Sequence, residues 1–293
     1  MDQHADQGPF SFHETAQFLR DRFPNSDDVE ELLTRIEETI ADAKGQMPRP
    51  NDVVALCNCH KPTIIAAIRR WFTEIRRNSA GDYERFARII VSSGDSLITF
   101  NYDVSLEAQL KREGKWRLGD GYGFRIEGFE DHSPVRTLKL HGSVNWRFPV
   151  GSNGRPLIDS SEIAFLGFPG LSDPLYQRPI PDALGTMILP ARCKQFFVET
   201  SLGPLHAQFW DGLWSQAAQA LKQSTEVIIC GYSLPDYDER AREMLLNENY
   251  SARIEICCGK DTDRIVEQMR NAGRNAHAAK ETHFDGWLSQ RLS

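Results

Sequence analysis

Apolar and polar positions alternate along the chain in two rhythms, which predict helices in some segments and strands in others. Residues 25–44 carry apolar side chains three and four positions apart behind an acidic start, which is typical of an amphipathic helix. Similar spacing predicts further helices at 64–75, 83–90, 202–223 and 238–249. Short apolar runs predict strands at 96–100, 135–140, 186–190, 226–230 and 253–258.

The order of these elements predicts the fold class. Strands that alternate with helices favour parallel βαβ units, and hence an α/β fold with an open sheet that helices cover. A chain of 293 residues is long enough for one large domain or two small ones. Residues 147–185 are rich in Gly, Pro, Ser and Asp, so we expect a long loop or a small insertion there.

Polar or glycine-containing segments directly follow three of the predicted strands. They are Asn101, Tyr102 and Asp103 after the first strand, His141, Gly142 and Ser143 after the second, and Gly231, Tyr232 and Ser233 after the fourth. Ligands of open α/β sheets bind outside the carboxyl ends of the strands. We therefore expect an amide, a carboxylate, an imidazole and a Gly-Tyr-Ser turn to converge on one crevice.

Each of these residues also has a purely structural interpretation. Asn101 and Asp103 are residue types that cap helices, and residues 104–113 have the pattern of a helix that they would cap. His141 is also compatible with a hydrogen-bonded core histidine, and Gly231 with a tight turn. Only the combination of the three strand ends favours a functional site.

Charge and composition exclude several classes of protein. The net charge of −7 argues against nucleic-acid binding, because no general basic field attracts phosphates. No apolar run has the length of a membrane span, and the first ten residues lack the apolar core of a signal peptide. Six irregularly spaced cysteines do not suggest a disulfide framework. We therefore expect a cytoplasmic protein with neither nucleic acid nor membrane as a partner.

Three segments resemble the sirtuin-like superfamily when they are taken in order. They are ITFNYD at 98–103, KLHGSVNW at 139–146 and IICGYSLPDYD at 228–238. More narrowly, the chain resembles the bacterial branch whose members are often NAD+ hydrolases in antiphage defence. RLGDGYG at 117–123 and MILPARCK at 187–194 resemble segments of the same branch, and the resemblance covers residues 12–260.

The resemblance implies a fold and a division of roles. The fold would be a single sirtuin-like domain over 1–293, with a Rossmann-type parallel sheet, helices on both faces and a helical subdomain at about 45–92. Asn101 and His141 would be the catalytic residues: Asn101 would position a water, and the near-neutral pKa of histidine suits His141 as a general base. Asp103 would bind the nicotinamide amide or a ribose hydroxyl. The nucleotide cleft would be lined by Gly231, Tyr232 and Ser233.

The expected function is therefore that of an NAD+ glycohydrolase, an enzyme that releases nicotinamide, in antiphage defence. NAD+ would be the substrate, without a metal, and a homo-oligomer or a defence-system partner protein is a further expectation. Protein-deacylating sirtuins carry zinc on two Cys-x-x-Cys pairs, whereas this chain offers only CNCH at 57–60. Deacylation is thus the second alternative.

The first alternative is a non-catalytic nucleotide-binding or interaction module. Family members open with a strand and a Gly-Ala-Gly-type loop that cradles the pyrophosphate, and no such segment precedes residues 10–23, which resemble the helix after that loop. We expect that this first unit is either truncated or lost, and that NAD+ binding is weak without it. Relatives also often place an asparagine near the adenosine, where this chain has Cys257, Cys258 and Gly259.

Overall fold

The computed structural model describes residues 11–24, 29–42, 56–57, 60, 63–64, 80–126, 128–149, 157–158, 183–187 and 203–292. The helices are α1 (Phe12–Arg22), α2 (Val29–Asp42), α3 (Ala80–Arg85, continued by a π-helical turn over Phe86–Ile90), α4 (Ser105–Arg112), α5 (Gly203–Gln223), α6 (Glu239–Arg242, continued by a π-helical turn over Glu243–Asn247), α7 (Thr262–Asn271) and α8 (Phe284–Arg291). The strands are β1 (Ser96–Thr99), β2 (Arg136–Lys139), β3 (Gly142–Pro149), β4 (Leu157–Ile158), β5 (Ala183–Met187), β6 (Glu226–Cys230), β7 (Arg253–Cys257) and β8 (Asn275–Ala278).

The predicted α/β class is confirmed, and the described strands form three hydrogen-bonded sheets. β1 and β2 are parallel, and β6, β7 and β8 form a second parallel sheet in that order. β3 pairs with β4 and with β5 in antiparallel orientation. The parallel strands therefore lie in two described sheets, each following the βαβ pattern of the sequence.

The strand predicted at 186–190 is described only as far as Met187, since residues 188–190 lie outside the described residues. Its described part ends β5 (Ala183–Met187), which pairs antiparallel with β3 and not within the parallel sheets. β3 begins three positions after β2 ends and supplies a long open edge, which β5 covers. The stretch 147–185, expected as a loop or insertion, contains residues of all three strands of this antiparallel sheet, and its remainder lies outside the described residues.

Helix α1 begins at a reciprocal capping box. Ser11 Oγ accepts from the Glu14 backbone N–H at 3.2 Å, and Glu14 Oε2 accepts from the Ser11 N–H at 2.8 Å. One turn later, Thr15 Oγ1 lies 2.9 Å from His60 Nδ1. The His60 ring stacks on the Phe18 ring, with a centroid distance of 4.3 Å. His60 is therefore part of the packing on α1, whereas most of the expected helical subdomain at 45–92 lies outside the described residues.

A continuous hydrophobic core joins α5 to the strands that carry the candidate site. Helix α5 packs against β1 and β2 and buries Leu213, Ala217 and Leu221. Next to it, aromatic rings lie 5.0–6.0 Å apart between neighbours in one cluster: Tyr122, Phe124, Trp146, Phe209 and Trp210. Rings of this size bury the largest apolar areas, so the cluster fixes the position of β3 after the His141 turn.

Helix α8 is hydrogen-bonded to the second parallel sheet through the buried carboxylate of Glu255 on β7. Trp287 Nε1 donates to Glu255 Oε1 at 2.8 Å, and Arg291 donates to the other oxygen of that carboxylate. On the other side of α8, the Phe284 ring packs against the rings of Phe86 and Tyr83, with centroid distances of 5.6 and 6.1 Å. Helix α8 thus links the sheet of β6 to β8 with α3.

Within the described ranges, no helix combines the length and apolarity needed to cross a membrane.

Candidate functional site

The two parallel strands β1 and β2 deliver Asn101 and His141 in matching register. Each β1 residue from Ser96 to Thr99 pairs with the β2 residue 40 positions later. Asn101 and His141 keep that separation, and Leu140 N–H donates to Thr99 O at 3.0 Å just before them. The spacing of the two residues in the sequence is therefore the register of the strand pair.

His141 is almost completely buried, with 5% of its surface exposed. Its ring neighbours on the β1 side are Phe100 and Tyr102, at centroid distances of 4.9 and 6.4 Å. Its Nε2 atom lies 3.5 Å from Asp238 Oδ2, and Asp238 is 3% exposed. The imidazole thus lies between two aromatic rings and a buried carboxylate.

Tyr232 bridges the two sides of the site. Its hydroxyl donates to Asp238 Oδ2 at 2.6 Å, and its ring stacks on Phe100 at 4.2 Å with an interplanar angle of 19°. Burial and the neighbouring negative charge of Asp238 raise the pKa of the Tyr232 hydroxyl far above its ordinary value. The hydroxyl therefore stays protonated and keeps donating to the carboxylate.

The loop from Gly231 to Asp238 takes its shape from two residues in the left-handed region. Gly231 has φ +65°, and its N–H donates to Cys257 O at 3.0 Å. Leu234 has φ +49°, which is rare for a residue with a side chain, and it is 1% exposed. Burial of the Leu234 side chain offsets this strain and fixes the path of the loop.

Asn101 is exposed, and its side-chain amide acts on the Tyr83 hydroxyl, whose pKa it lowers. Its backbone N–H donates to Thr99 Oγ1 at 3.0 Å, which fixes the turn after β1. Burial raises the pKa of Tyr83 to about 12, with the charges of Asp103 and Glu107 acting in the same direction.

Asp103 hydrogen-bonds to the first turn of α4, as the helix-capping interpretation of the sequence expects. Its Oδ1 accepts from the Ser105 N–H at 2.9 Å, at the start of α4. Its backbone oxygen accepts from Lys139 Nζ, and that ammonium also lies 2.9 Å from Glu107 Oε1. The Lys139 and Glu107 side chains are each 1% exposed. This buried ion pair stabilises the Asn101–Asp103 segment through the bond from Lys139 to the Asp103 backbone oxygen.

Ser233 is exposed, and its backbone oxygen accepts from the Arg264 guanidinium. It lies at the carboxyl end of β6 with Gly231 and Tyr232, as the strand pattern predicts. A Cβ on Gly231 would meet no atom within 4 Å, so the requirement for glycine there comes from φ.

The sequence interpretation missed four residues that hold the site together: Tyr83, Glu107, Lys139 and Asp238. Asp238 ends the GYSLPDYD segment, so its residue type was visible, but its reach to His141 depends on the Leu234 turn. Lys139 lies in the predicted strand VRTLKL at 135–140, and a lysine that is buried in a strand requires a partner. The partner, Glu107, has its pKa raised by burial, an effect that Lys139 opposes.

Comparison with protein-family models and with curated proteins finds no significant match. Among the described residues, no group of three or more His, Cys, Asp or Glu side chains is arranged to hold a metal ion. The described cysteines, Cys57, Cys230, Cys257 and Cys258, carry free thiols.

Proposed function

We propose that the chain is an NAD+ glycohydrolase that releases nicotinamide from NAD+. The observation that carries the proposal is the matched register of β1 and β2, which brings Asn101 and His141 to adjacent strand ends. The resemblance of the three strand-end segments to sirtuin-like NAD+ hydrolases supports the same assignment.

The chemistry suits these two side chains. The bond from ribose C1′ to the nicotinamide nitrogen breaks with oxocarbenium-like charge on the sugar, and the bond electrons neutralise the pyridinium. Nicotinamide leaves uncharged, so the site needs no strong acid for the leaving group. A water oxygen forms the new bond to C1′, Asn101 orients that water, and His141 takes its proton.

The remaining predicted residues have binding roles in this proposal. Asp103 keeps one carboxylate oxygen on the Ser105 N–H, and its other oxygen would accept from the nicotinamide amide or from a ribose hydroxyl. Tyr232 and Ser233 would line the nucleotide cleft beside Gly231. NAD+ hydrolysis of this kind fits a cytoplasmic antiphage effector that acts as a homo-oligomer or with a defence-system partner protein.

One observation favours the alternative of a non-catalytic nucleotide-binding or interaction module. The Phe100 ring lies against a His141 that is only 5% exposed, and the Tyr232 ring stacks on Phe100. An imidazole this buried is reached by NAD+ only if neighbouring side chains move. A module that binds nucleotide at the exposed Asn101 and Ser233 would not require that movement.

Nicotinamide release by the purified chain, measured by chromatography after incubation with NAD+, distinguishes the two functions. His141→Ala should lower the rate by about 10²–10⁴-fold, the usual contribution of a general acid–base group. The control is His132→Ala, because the His132 side chain is 88% exposed and paired with Asp120 at 3.0 Å. A parent chain that binds NAD+ without releasing nicotinamide would favour the binding module instead.

A further inference from the structure

Asp238 is a buried carboxylate to which the proposed function assigns no role. It occupies the N-cap position of α6, where an aspartate ordinarily accepts from the first turn of its helix. Its side chain makes no such capping bond. Instead the carboxylate reaches Tyr232 and His141 on the other side of the loop.

Two groups converge on one oxygen of this carboxylate. The Tyr232 hydroxyl lies 2.6 Å from Oδ2, within the range of a strong hydrogen bond to an ionised acceptor. His141 Nε2 lies 3.5 Å from the same atom, which is long for a hydrogen bond. The tyrosine hydroxyl therefore competes with the imidazole for Oδ2 and holds it more closely.

The backbone of the loop fixes where the carboxylate lies. Asp238 N–H donates to Pro235 O at 3.1 Å, and Arg242 donates to Leu234 O at 3.3 Å. Leu234 anchors the turn through its buried side chain despite its positive φ. The distance from Asp238 to His141 is thus set by packing of the loop, as an orienting group requires.

We propose that Asp238 is a positioning residue for His141, and that the Tyr232 hydroxyl controls it by occupying the shared oxygen. The catalytic consequence rests on the proposed function. Asp238 favours the tautomer that carries the proton on Nε2, and it stabilises the imidazolium that forms when Nδ1 takes a proton from the attacking water. A ligand that displaces Tyr232 from Phe100 releases Oδ2 and makes His141 more basic.

Among the described residues, four segments bring titratable or charged groups towards the strand end that carries His141, and the variants must separate them. These groups are Tyr102 after β1, Lys139 on β2 with its partner Glu107 on α4, and Tyr232 and Asp238 after β6. Lys139, Glu107 and Tyr102 are unchanged in every variant. Changes at Asp238 and Tyr232 therefore report on the Oδ2 contact.

The test is an NMR titration of His141 in the full chain labelled at histidine, with the resonance assigned by its absence in His141→Ala. Asp238→Asn removes a negative charge beside the imidazolium, so it should lower the His141 pKa by about 1 unit or more. Tyr232→Phe removes the competing donor, so it should raise that pKa. The opposite signs are what a shared oxygen predicts, and general loosening of the loop would not produce them.

The matched control is Asp236→Asn, which makes the same chemical change two positions away. The Asp236 side chain is 92% exposed and lies 3.2 Å from Arg242. Because solvent screens an exposed charge, removing the Asp236 charge should shift the His141 pKa by less than about 0.3 unit. A shift from Asp238→Asn no larger than this control would overturn the proposal. If Asp238→Asn does not fold, Tyr232→Phe decides alone, and an unchanged or lowered pKa there overturns the proposal.

Nicotinamide release gives the second readout and separates this inference from the proposed function. Asp238→Asn should lower kcat about tenfold or more and move the acid limb of the pH–rate profile to lower pH, because the base titrates lower. An acid limb that stays in place would contradict the positioning role. A chain that shows both NMR shifts but releases no nicotinamide would contradict the NAD+ glycohydrolase proposal and support the pairing of His141 with Asp238.

Discussion

At the scale of single residues, the ion pair of Lys139 and Glu107 is buried on both sides. Both side chains are 1% exposed, and their charged atoms lie 2.9 Å apart. The ammonium also binds the backbone oxygen of Asp103, which holds the turn after β1. Removing water from two charges is expensive, so each partner is stable in this place only while the other remains.

Lys139→Met should therefore lower the free energy of unfolding by about 3–5 kcal/mol, because Glu107 is left buried without its cation. The double variant Lys139→Met, Glu107→Leu should recover much of that loss, since no charge then remains buried. Denaturant unfolding followed by circular dichroism measures both changes.

The exposed pair of Arg112 and Glu84 serves as the control for this experiment. Their charged atoms lie 3.5 Å apart, and the Arg112 side chain is 56% exposed. Arg112→Ala should cost no more than about 1 kcal/mol, because solvent screens an exposed pair. A cost for Lys139→Met as small as this would refute the structural importance of the buried pair.

At the scale of elements, the turn after β6 depends on backbone conformation more than on contacts. Gly231→Ala should lower the free energy of unfolding by about 1–2 kcal/mol, because φ +65° places Cβ against the following carbonyl oxygen. The added methyl meets no other atom within 4 Å, so strain is the whole effect. Thermal or denaturant unfolding of the full chain measures it.

Gly212 provides a control with the opposite expected sign. It lies inside α5, and a Cβ there also meets no atom within 4 Å. Gly212→Ala should raise the free energy of unfolding by about 0.5–1 kcal/mol, because alanine loses less backbone freedom in a helix. Equal effects of the two substitutions would mean that φ at Gly231 does not constrain the turn.

The sequence predicted these elements well where local patterns determine them. Apolar runs located β1, β2, β6 and β7 within about one residue. The strand β8, with the sequence NAHA, was not predicted, because small and polar residues carry no strand signal. Its pairing with β7 depends on tertiary contacts instead.

At the scale of the whole molecule, the candidate site joins segments far apart in the sequence. The contact of His141 with Asp238 joins β2 to the loop after β6, across 97 positions that include the antiparallel sheet and α5. No local pattern encodes such a contact, since it depends on the Leu234 turn and on packing of the two strand ends. This is why the sequence predicted the imidazole and not the carboxylate beside it.

Helix α8 also acts at this scale. It binds Glu255 of the second parallel sheet through Trp287, and through Phe284 it contacts Tyr83 and Phe86 of α3. Helix α8 therefore joins two segments that are about 170 positions apart in the sequence.

The most direct test of the central claim is the rate of nicotinamide release by the full chain in a double-mutant cycle of Asn101 and His141. If the two residues act as one unit on NAD+, each alanine variant should lose about 10²-fold or more, and the double variant should be hardly slower than the slower single one. His141→Ala turnover within a factor of a few of the parent, or fully additive losses in the cycle, would contradict the claim.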